Sequence, residues 1–255
     1  MNRLNGKVAI VTGAGSGMGK SIALLFAEEG AQVIAADIHE SRLAALKEEA
    51  AAKPGKLHTV VTDVAIEADI ERMIQAATQT FGTLDILVNN AGIMDNFAPV
   101  GDLDNAMWEK VMRVNVDGPF KAMRSALKLF LAKGSGTIIN ISSIGGLMGA
   151  RAGAAYTASK HALIGLTRNT GYLYSKSGIK CNAIAPGAVA TNIAETIDFS
   201  KIGPLANERI MSGMVLNPRN AEPKEIAGVA LFLASEESSF INGAVITADG
   251  GWTAY

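Results

Sequence analysis

The stretch Val8-Ala9-Ile10-Val11-Thr12-Gly13-Ala14-Gly15-Ser16-Gly17-Met18-Gly19 decides the fold. Its apolar start reads as a buried strand, its glycines as a turn, and the apolar periodicity after Gly17 as a helix. Glycines let such a turn adopt positive φ and let an anion approach the backbone, where the free N–H groups and dipole of the next helix favour negative charge. The spacing is not a strict G-x-G-x-x-G; Gly13, Gly17 and Gly19 make a longer turn. A second strand, Val33-Ile34-Ala35-Ala36, ends at Asp37, 24 residues beyond Gly13, where a carboxylate can hydrogen-bond an adenosine ribose diol. A 2′-phosphate about 5 Å from that carboxylate meets roughly 3 kcal/mol of repulsion per charge at an effective dielectric near 20. With Ser16 in the turn instead of an arginine, NAD is expected over NADP, although Arg42 and His39 are close in sequence.

Further strands are read at His58 to Thr62, Ile86 to Val88, Thr137 to Ile141, Lys180 to Ala185 and Ala244 to Thr247. Between them lie helical patterns at Gly17 to Glu29, Ser41 to Ala52, Glu67 to Thr80, Asn105 to Lys133, Ala154 to Lys176 and Pro223 to Ala234. The strands are nearly continuous apolar runs, as in a parallel sheet covered on both faces. The alternation predicts an α/β fold, a single domain over residues 1–255 whose doubly wound, seven-stranded parallel sheet carries helices on both faces. Only Ala188 to Glu222 fits neither pattern, and the segment at about 188–222 is read as a substrate lid.

With 49% apolar residues, 18% charged residues and a net charge of -1, the chain is neither disordered nor a basic nucleic-acid binder. No apolar run is long enough to span a bilayer, and Met1 to Lys7 lacks a signal-peptide core, so a cytoplasmic protein without membrane or nucleic-acid partners is expected. The single cysteine, Cys181, excludes an internal disulfide and a cysteine-cluster metal site and reads as a buried strand thiol. His39, His58 and His161 have no partners suggesting a triad or a metal site, and no metal is expected.

Tyr156-Thr157-Ala158-Ser159-Lys160 places a phenol and an ammonium at i and i+4, on one face of a helix. A cation about 4 Å from a phenolate contributes roughly 4 kcal/mol at the same dielectric, enough to bring a tyrosine down by about three units. Such a phenol exchanges protons near neutral pH. Asn115 and Pro119 lie within the long pattern from Asn105. A helix continuing through Pro119 leaves the Asn115 carbonyl without its i+4 partner, a place for a water or a kink.

Taken together, the chain resembles the short-chain dehydrogenase/reductase family over essentially its whole length. Thr12 to Gly19 is similar to the family's T-G-x-x-x-G-x-G turn and Asn89-Asn90-Ala91-Gly92 to its N-N-A-G motif. Tyr156 to Lys160 matches Y-x-x-x-K, and Pro186-Gly187 with Thr191 its P-G segment. Ser143, 13 residues before Tyr156, takes the place of the family's substrate-binding serine, with Ser142 the other choice. Asn115 matches the asparagine of the catalytic tetrad. The resemblance implies a Rossmann-type fold and hydride transfer between NAD(H) and a carbinol carbon. In it Tyr156 is the acid or base, Ser143 holds the substrate oxygen, Lys160 binds the nicotinamide ribose and lowers the Tyr156 pKa, and Asn115 holds a water. It further implies cofactor contacts from Gly13, Ser16, Gly17, Met18 and Gly19 in the turn, and from Asp37 and Ile38. Asp63 and Val64 are placed at the adenine, Asn90, Ala91 and Gly92 along the groove, and Pro186, Gly187, Val189 and Thr191 over the nicotinamide.

The substrate walls are read after Asn90-Ala91-Gly92, after Ser143 and in the lid, where Ile93, Met94, Phe97, Leu147, Met148, Ile193, Ile197, Phe199, Ile202, Met211, Met214 and Val215 are apolar. Methionines adapt to bulky shapes. A secondary alcohol on an apolar alicyclic skeleton, such as a hydroxysteroid, is expected. A glucose-type sugar dehydrogenase, a 3-oxoacyl reductase and a non-catalytic dinucleotide sensor are the alternatives. Family members are commonly homotetramers, and the same is expected here. Two aromatics near the end, Trp252 and Tyr255, are read as subunit contacts.

Overall fold

The computed structural model of the chain describes residues 2–255, the side chain of Met211 excepted. Seven strands form one sheet: β1 (Val8–Thr12), β2 (Gln32–Asp37), β3 (Leu57–Val61), β4 (Ile86–Asn89), β5 (Gly136–Ile141), β6 (Ile179–Pro186) and β7 (Val245–Ala248). Their spatial order is β3-β2-β1-β4-β5-β6-β7, and every neighbouring pair is parallel. The order reverses between β1 and β4, so the connections after these strands run apart and open a crevice at the carboxyl end of the sheet.

The α-helices are α1 (Gly17–Glu28), α2 (Glu40–Ala50), α3 (Glu67–Phe81), α4 (Asn105–Met112), α5 (Gly118–Lys133), α6 (Ala154–Leu173), α7 (Pro204–Met214) and α8 (Pro223–Ala234). Two apolar cores lie on opposite sides of the sheet. On one, Ile22, Phe26 and Leu231 of α1 and α8 pack with Ala9, Val11 and Val88; on the other, Met73 and Phe130 of α3 and α5 pack with Ile10, Leu87 and Ile138. The sheet is covered by helices on both faces, with the central strands β1 and β4 buried throughout and the edge strands β3 and β7 partly exposed. Among the described residues, no helix is long and apolar enough to cross a membrane.

Two expectations about helices need correction. The stretch from Asn105 to Lys133 is not one helix: a π-helical turn at Arg113–Asp117 separates α4 from α5, with the Gly118 N–H bonded to Arg113 O. Pro119 follows the π turn within continuous helical backbone, so it gives no N–H to the carbonyls one turn earlier. The segment 188–222 is not without structure, because it holds α7 and two short 3₁₀ turns, Asn192–Thr196 and Phe199–Lys201. Pro204 opens α7, whose Ala206 and Ile210, one helical turn apart, are buried. Trp252 is buried within the chain, its indole N–H donating to Gly213 O at 3.2 Å, while Tyr255 is exposed, so only the latter can be a subunit contact.

Cys181 is buried on β6, and burial pushes its thiol up to about 12. In the native protein it is expected to resist a water-soluble thiol reagent at pH 8, and one thiol per chain is expected to react in guanidinium. Rapid labelling of native protein would contradict this packing.

Candidate active site

The ends of β1 and β4 are stitched together. Thr12 Oγ1 accepts from the N–H groups of Asn90 and Ala91 at 3.0 and 3.1 Å, and Asn90 Nδ2 donates to Thr12 O at 2.9 Å. The glycines make this approach possible. A Cβ on Gly13, whose φ is +64°, would lie 2.9 Å from Ala91 Cα, and one on Gly19 would lie 2.1 Å from Gly13 O.

Beside this junction runs a groove of about 620 Å³. Gly13, Ser16, Gly17 and Met18 line it from the turn, Asp37 and Ile38 from the end of β2, and Asp63 and Val64 from the segment after β3. Asn90, Ala91 and Gly92 line its other side, and Thr191 reaches it from the lid, where a Cβ on Gly17 would meet Thr191 Cβ at 3.0 Å. Gly19 lies behind the turn. Pro186 ends β6, and Gly187 and Val189 follow it. Their backbones are engaged: Pro186 pairs with Ala248, the Gly187 N–H donates to Ala248 O, and Val189 bridges to Ala221.

The groove suits a dinucleotide. Asp37 is buried, and its carboxylate accepts the Gly15 N–H at 2.8 Å and the His39 N–H at 2.9 Å, which fixes its oxygens at the end of β2. Asn90 Oδ1 is buried with no hydrogen-bond partner among the described residues, an acceptor left over in the wall. Arg42 is paired with Glu195 of the lid at 2.8 Å, so its charge is already matched.

Deeper in, α6 brings Tyr156 and Lys160 to the end of β5. Both side chains are buried. Lys160 Nζ donates to Ile141 O at 3.0 Å and lies 5.4 Å from the Tyr156 ring centroid. A Cβ on Gly92 would sit 3.4 Å from that Nζ, so the ammonium borders the groove. The two serines separate clearly. Ser142 Oγ is buried and donates to Lys160 O at 3.1 Å, whereas Ser143 Oγ accepts the Gly145 N–H and lies beside the Tyr156 ring, both within 3.5 Å of a Cβ built on Gly145. Ser143 is therefore the serine beside the Tyr156 ring.

Asn115 comes to the site from the π turn, and its side chain is saturated. Nδ2 donates to Ile93 O at 2.9 Å and to Ser159 Oγ at 3.1 Å, while Oδ1 accepts the Ile93 N–H at 2.9 Å. Thus it couples the chain after Gly92 to α6. The expected lowering of Tyr156 is not met in this structure: burial pushes the phenol up to about 12, against the Ser143 hydrogen bond that pulls it down, with the Asp95 carboxylate raising it further. Burial also brings Lys160 down to about 8. Withdrawing both groups from water outweighs an ammonium that is directed at a carbonyl oxygen rather than at the phenol oxygen.

Asp95 escapes sequence reasoning, since no spacing rule marks an acidic residue in a loop after a strand. It is wholly buried and accepts N–H groups from the start of α6. The pairing of Arg42 with Glu195, 153 residues apart, is equally invisible in sequence.

Comparison with known proteins agrees with this geometry. Residues 13–253 match the family model described as enoyl-(acyl carrier protein) reductase. The chain is 45% identical over 253 residues to 3beta-hydroxysteroid dehydrogenase 2 of Eggerthella lenta, covering 99% of this chain and 96% of that one. The crystal structure of levodione reductase superposes with a TM-score of 0.88 at 36% identity, covering 98% and 99% of the two chains. A structure assigned as an NAD(P)-dependent gluconate 5-dehydrogenase from Beutenbergia cavernae, with NADP at low occupancy, superposes with a TM-score of 0.86 at 36% identity, covering 99% and 98%. The chain belongs to the short-chain dehydrogenase/reductase family.

Lys160 carries a pH signature. Its folded value of about 8 lies below its ordinary 10.5, so between these values the unfolded chain binds more protons and stability rises with pH. Tyr156, raised from 10.0 to about 12, acts in the opposite sense only above pH 10. Chemical denaturation between pH 8 and 10 is expected to show the wild type gaining about 2 kcal/mol relative to Lys160→Met. Parallel curves for the two proteins would refute the buried, depressed lysine.

Proposed function

We propose that this protein interconverts a secondary alcohol and its ketone, with NAD preferred to NADP and an apolar, alicyclic skeleton such as a hydroxysteroid as substrate. The observation carrying the reading is the gathering of Ser143 and Lys160 around Tyr156, with Lys160 Nζ close behind Gly92, which lines a groove that fits a dinucleotide. When bound, the nicotinamide supplies the hydride acceptor or donor. Ser143 holds the substrate oxygen, and the Tyr156 phenol gives it a proton in reduction or takes one in oxidation. At neutral pH burial keeps the phenol protonated, the form that donates to a ketone oxygen. Lys160, bordering the groove at Gly92, holds the ribose and favours the phenolate when oxidation requires it. Asn115 keeps Ile93 and Ser159 in register, and so keeps α6 in place.

The preference for NAD is supported by the buried Asp37 carboxylate and by the pairing of Arg42 with Glu195, which opposes capture of a 2′-phosphate. The substrate class is supported by the half-buried Ile93, Ile193, Ile197 and Ile202 and the exposed Phe199 and Met214 of the lid, and by the names of the hydroxysteroid and levodione relatives. We place the lid at 188–222 and the working protein in the cytoplasm. A homotetramer is supported by outward apolar side chains on α4, α5 and α6, among them Trp108, Phe120, Tyr172 and Leu173.

Tyr156→Phe is expected to lower kcat by at least about a hundredfold while NADH affinity, read by fluorescence titration, stays within about threefold. Retained turnover would contradict the assignment of Tyr156, and lost NADH binding would mean that the phenylalanine disrupts the groove.

A further inference from the structure

The helix that carries Tyr156 and Lys160 begins without a cap of its own, because Gly153 at its N-cap has no side chain to supply one. The cap comes from elsewhere in the chain. Asp95, on the loop after β4, accepts the Gly153 N–H at 3.1 Å through one carboxylate oxygen and the Tyr156 N–H at 2.9 Å through the other. The first of these oxygens also takes the Phe97 N–H at 3.1 Å. Phe97 has a φ of +56°, a left-handed backbone that a bulky residue adopts only when its surroundings impose it. The Ala154 N–H bonds to Ala98 O at 2.9 Å and completes the seam. Gly153 is required in turn, since a Cβ there would lie 2.5 Å from Asp95 Oδ2.

We propose that Asp95 is a positioning residue of the reaction: its buried carboxylate fixes the Tyr156 backbone and the apolar wall at Phe97 relative to one another, and its negative charge acts on the phenol. The proposal rests on the reading of Tyr156 as the group that moves the proton. Three elements bring groups to Tyr156: α6 brings Lys160 to its ring, the segment after β5 brings the neutral Ser143 beside the ring, and the loop after β4 brings Asp95 to its backbone N–H. Burial raises the Asp95 carboxyl above its ordinary value, against the amides of the helix N-terminus that favour the carboxylate, and a negative charge there makes the phenol a weaker acid.

The test compares wild type, Asp95→Asn, Asp95→Glu and Tyr156→Phe, first in circular dichroism and NADH binding, then in NAD-dependent turnover of a 3β-hydroxysteroid or cyclohexanol. The phenol itself is read by ultraviolet titration of tyrosinate, with Tyr156→Phe as the subtraction control. Asp95→Asn is nearly isosteric but uncharged, and offers an amide NH2 donor where a second acceptor is needed. It is expected to lose kcat at least about tenfold, to keep KM for NAD within about threefold, and to titrate Tyr156 about half a unit or more lower. Asp95→Glu, which keeps the charge but displaces it, is expected to lose kcat with the Tyr156 titration at its wild-type place. A folded Asp95→Asn with wild-type kcat, or with reduced kcat and an unmoved titration, would overturn the proposal. If Asp95→Asn does not fold, Asp95→Glu decides by the same two readouts, and wild-type kcat there overturns the proposal. Turnover persisting in Tyr156→Phe would instead remove the reading of Tyr156 on which the proposal stands.

Discussion

The short bridge from Thr12 to Asn90 and Ala91 is the constraint on which the site depends. β1 and β4 are neighbours in the sheet, but their connections leave in opposite directions, so the backbone beyond them must part. One hydroxyl accepting two amides, and one side-chain amide returning a bond, set how far it parts. The turn at Gly13 can then pass under Asn90 and Ala91, and the start of α1 faces the groove. At these glycines a methyl group would push against backbone, which gives no way to relax cheaply. The helix terminus that would receive a pyrophosphate is thus placed by packing and hydrogen bonding before any ligand arrives.

In the proposed function the chemistry sits on a second rigid piece, α6. A buried polar thread fastens it to the sheet: Asn89 Nδ2 donates to Asn140 Oδ1 at 2.8 Å, Asn140 Nδ2 to Thr167 Oγ1 at 2.9 Å, and Thr167 Oγ1 to Leu163 O. Such groups are costly to bury singly and specific when all are satisfied. Near the start of the helix Asn115 performs a similar service through Ser159. The price is electrostatic, since both reactive groups are held out of water in the form each least resists: phenol raised, ammonium lowered. Burial thus moves the two groups apart in proton affinity, keeping the phenol protonated and easing the loss of the lysine proton.

Much of this was legible in the sequence because it rests on local signals. The glycine turn and the apolar strands gave the doubly wound sheet, and the four-residue spacing of Tyr156 and Lys160 put them on one helical face. What was not legible depends on contacts distant in sequence. The π turn that brings in Asn115 interrupts a pattern whose apolar period continues through it. The lid helix α7 is signalled only by Pro204 and a single buried pair, Ala206 and Ile210. Trp252 looks like an exposed terminal aromatic until Gly213 is seen to accept its N–H. The direction of the Tyr156 shift depends on how deeply the phenol is buried and on where Lys160 points, and neither follows from spacing.

The proposed function joins an NAD-preferring groove to a proton-transferring tyrosine beneath an apolar lid. The most direct measurement follows NADH and NADPH absorbance with NAD and NADP, each offered hydroxysteroids, cyclic alcohols, sugars and short secondary alcohols. Turnover fastest with NAD and a bulky apolar secondary alcohol is the expected result. Turnover confined to sugars would contradict the reading of the lid, and a preference for NADP would contradict the roles given to Asp37 and to the pairing of Arg42 with Glu195.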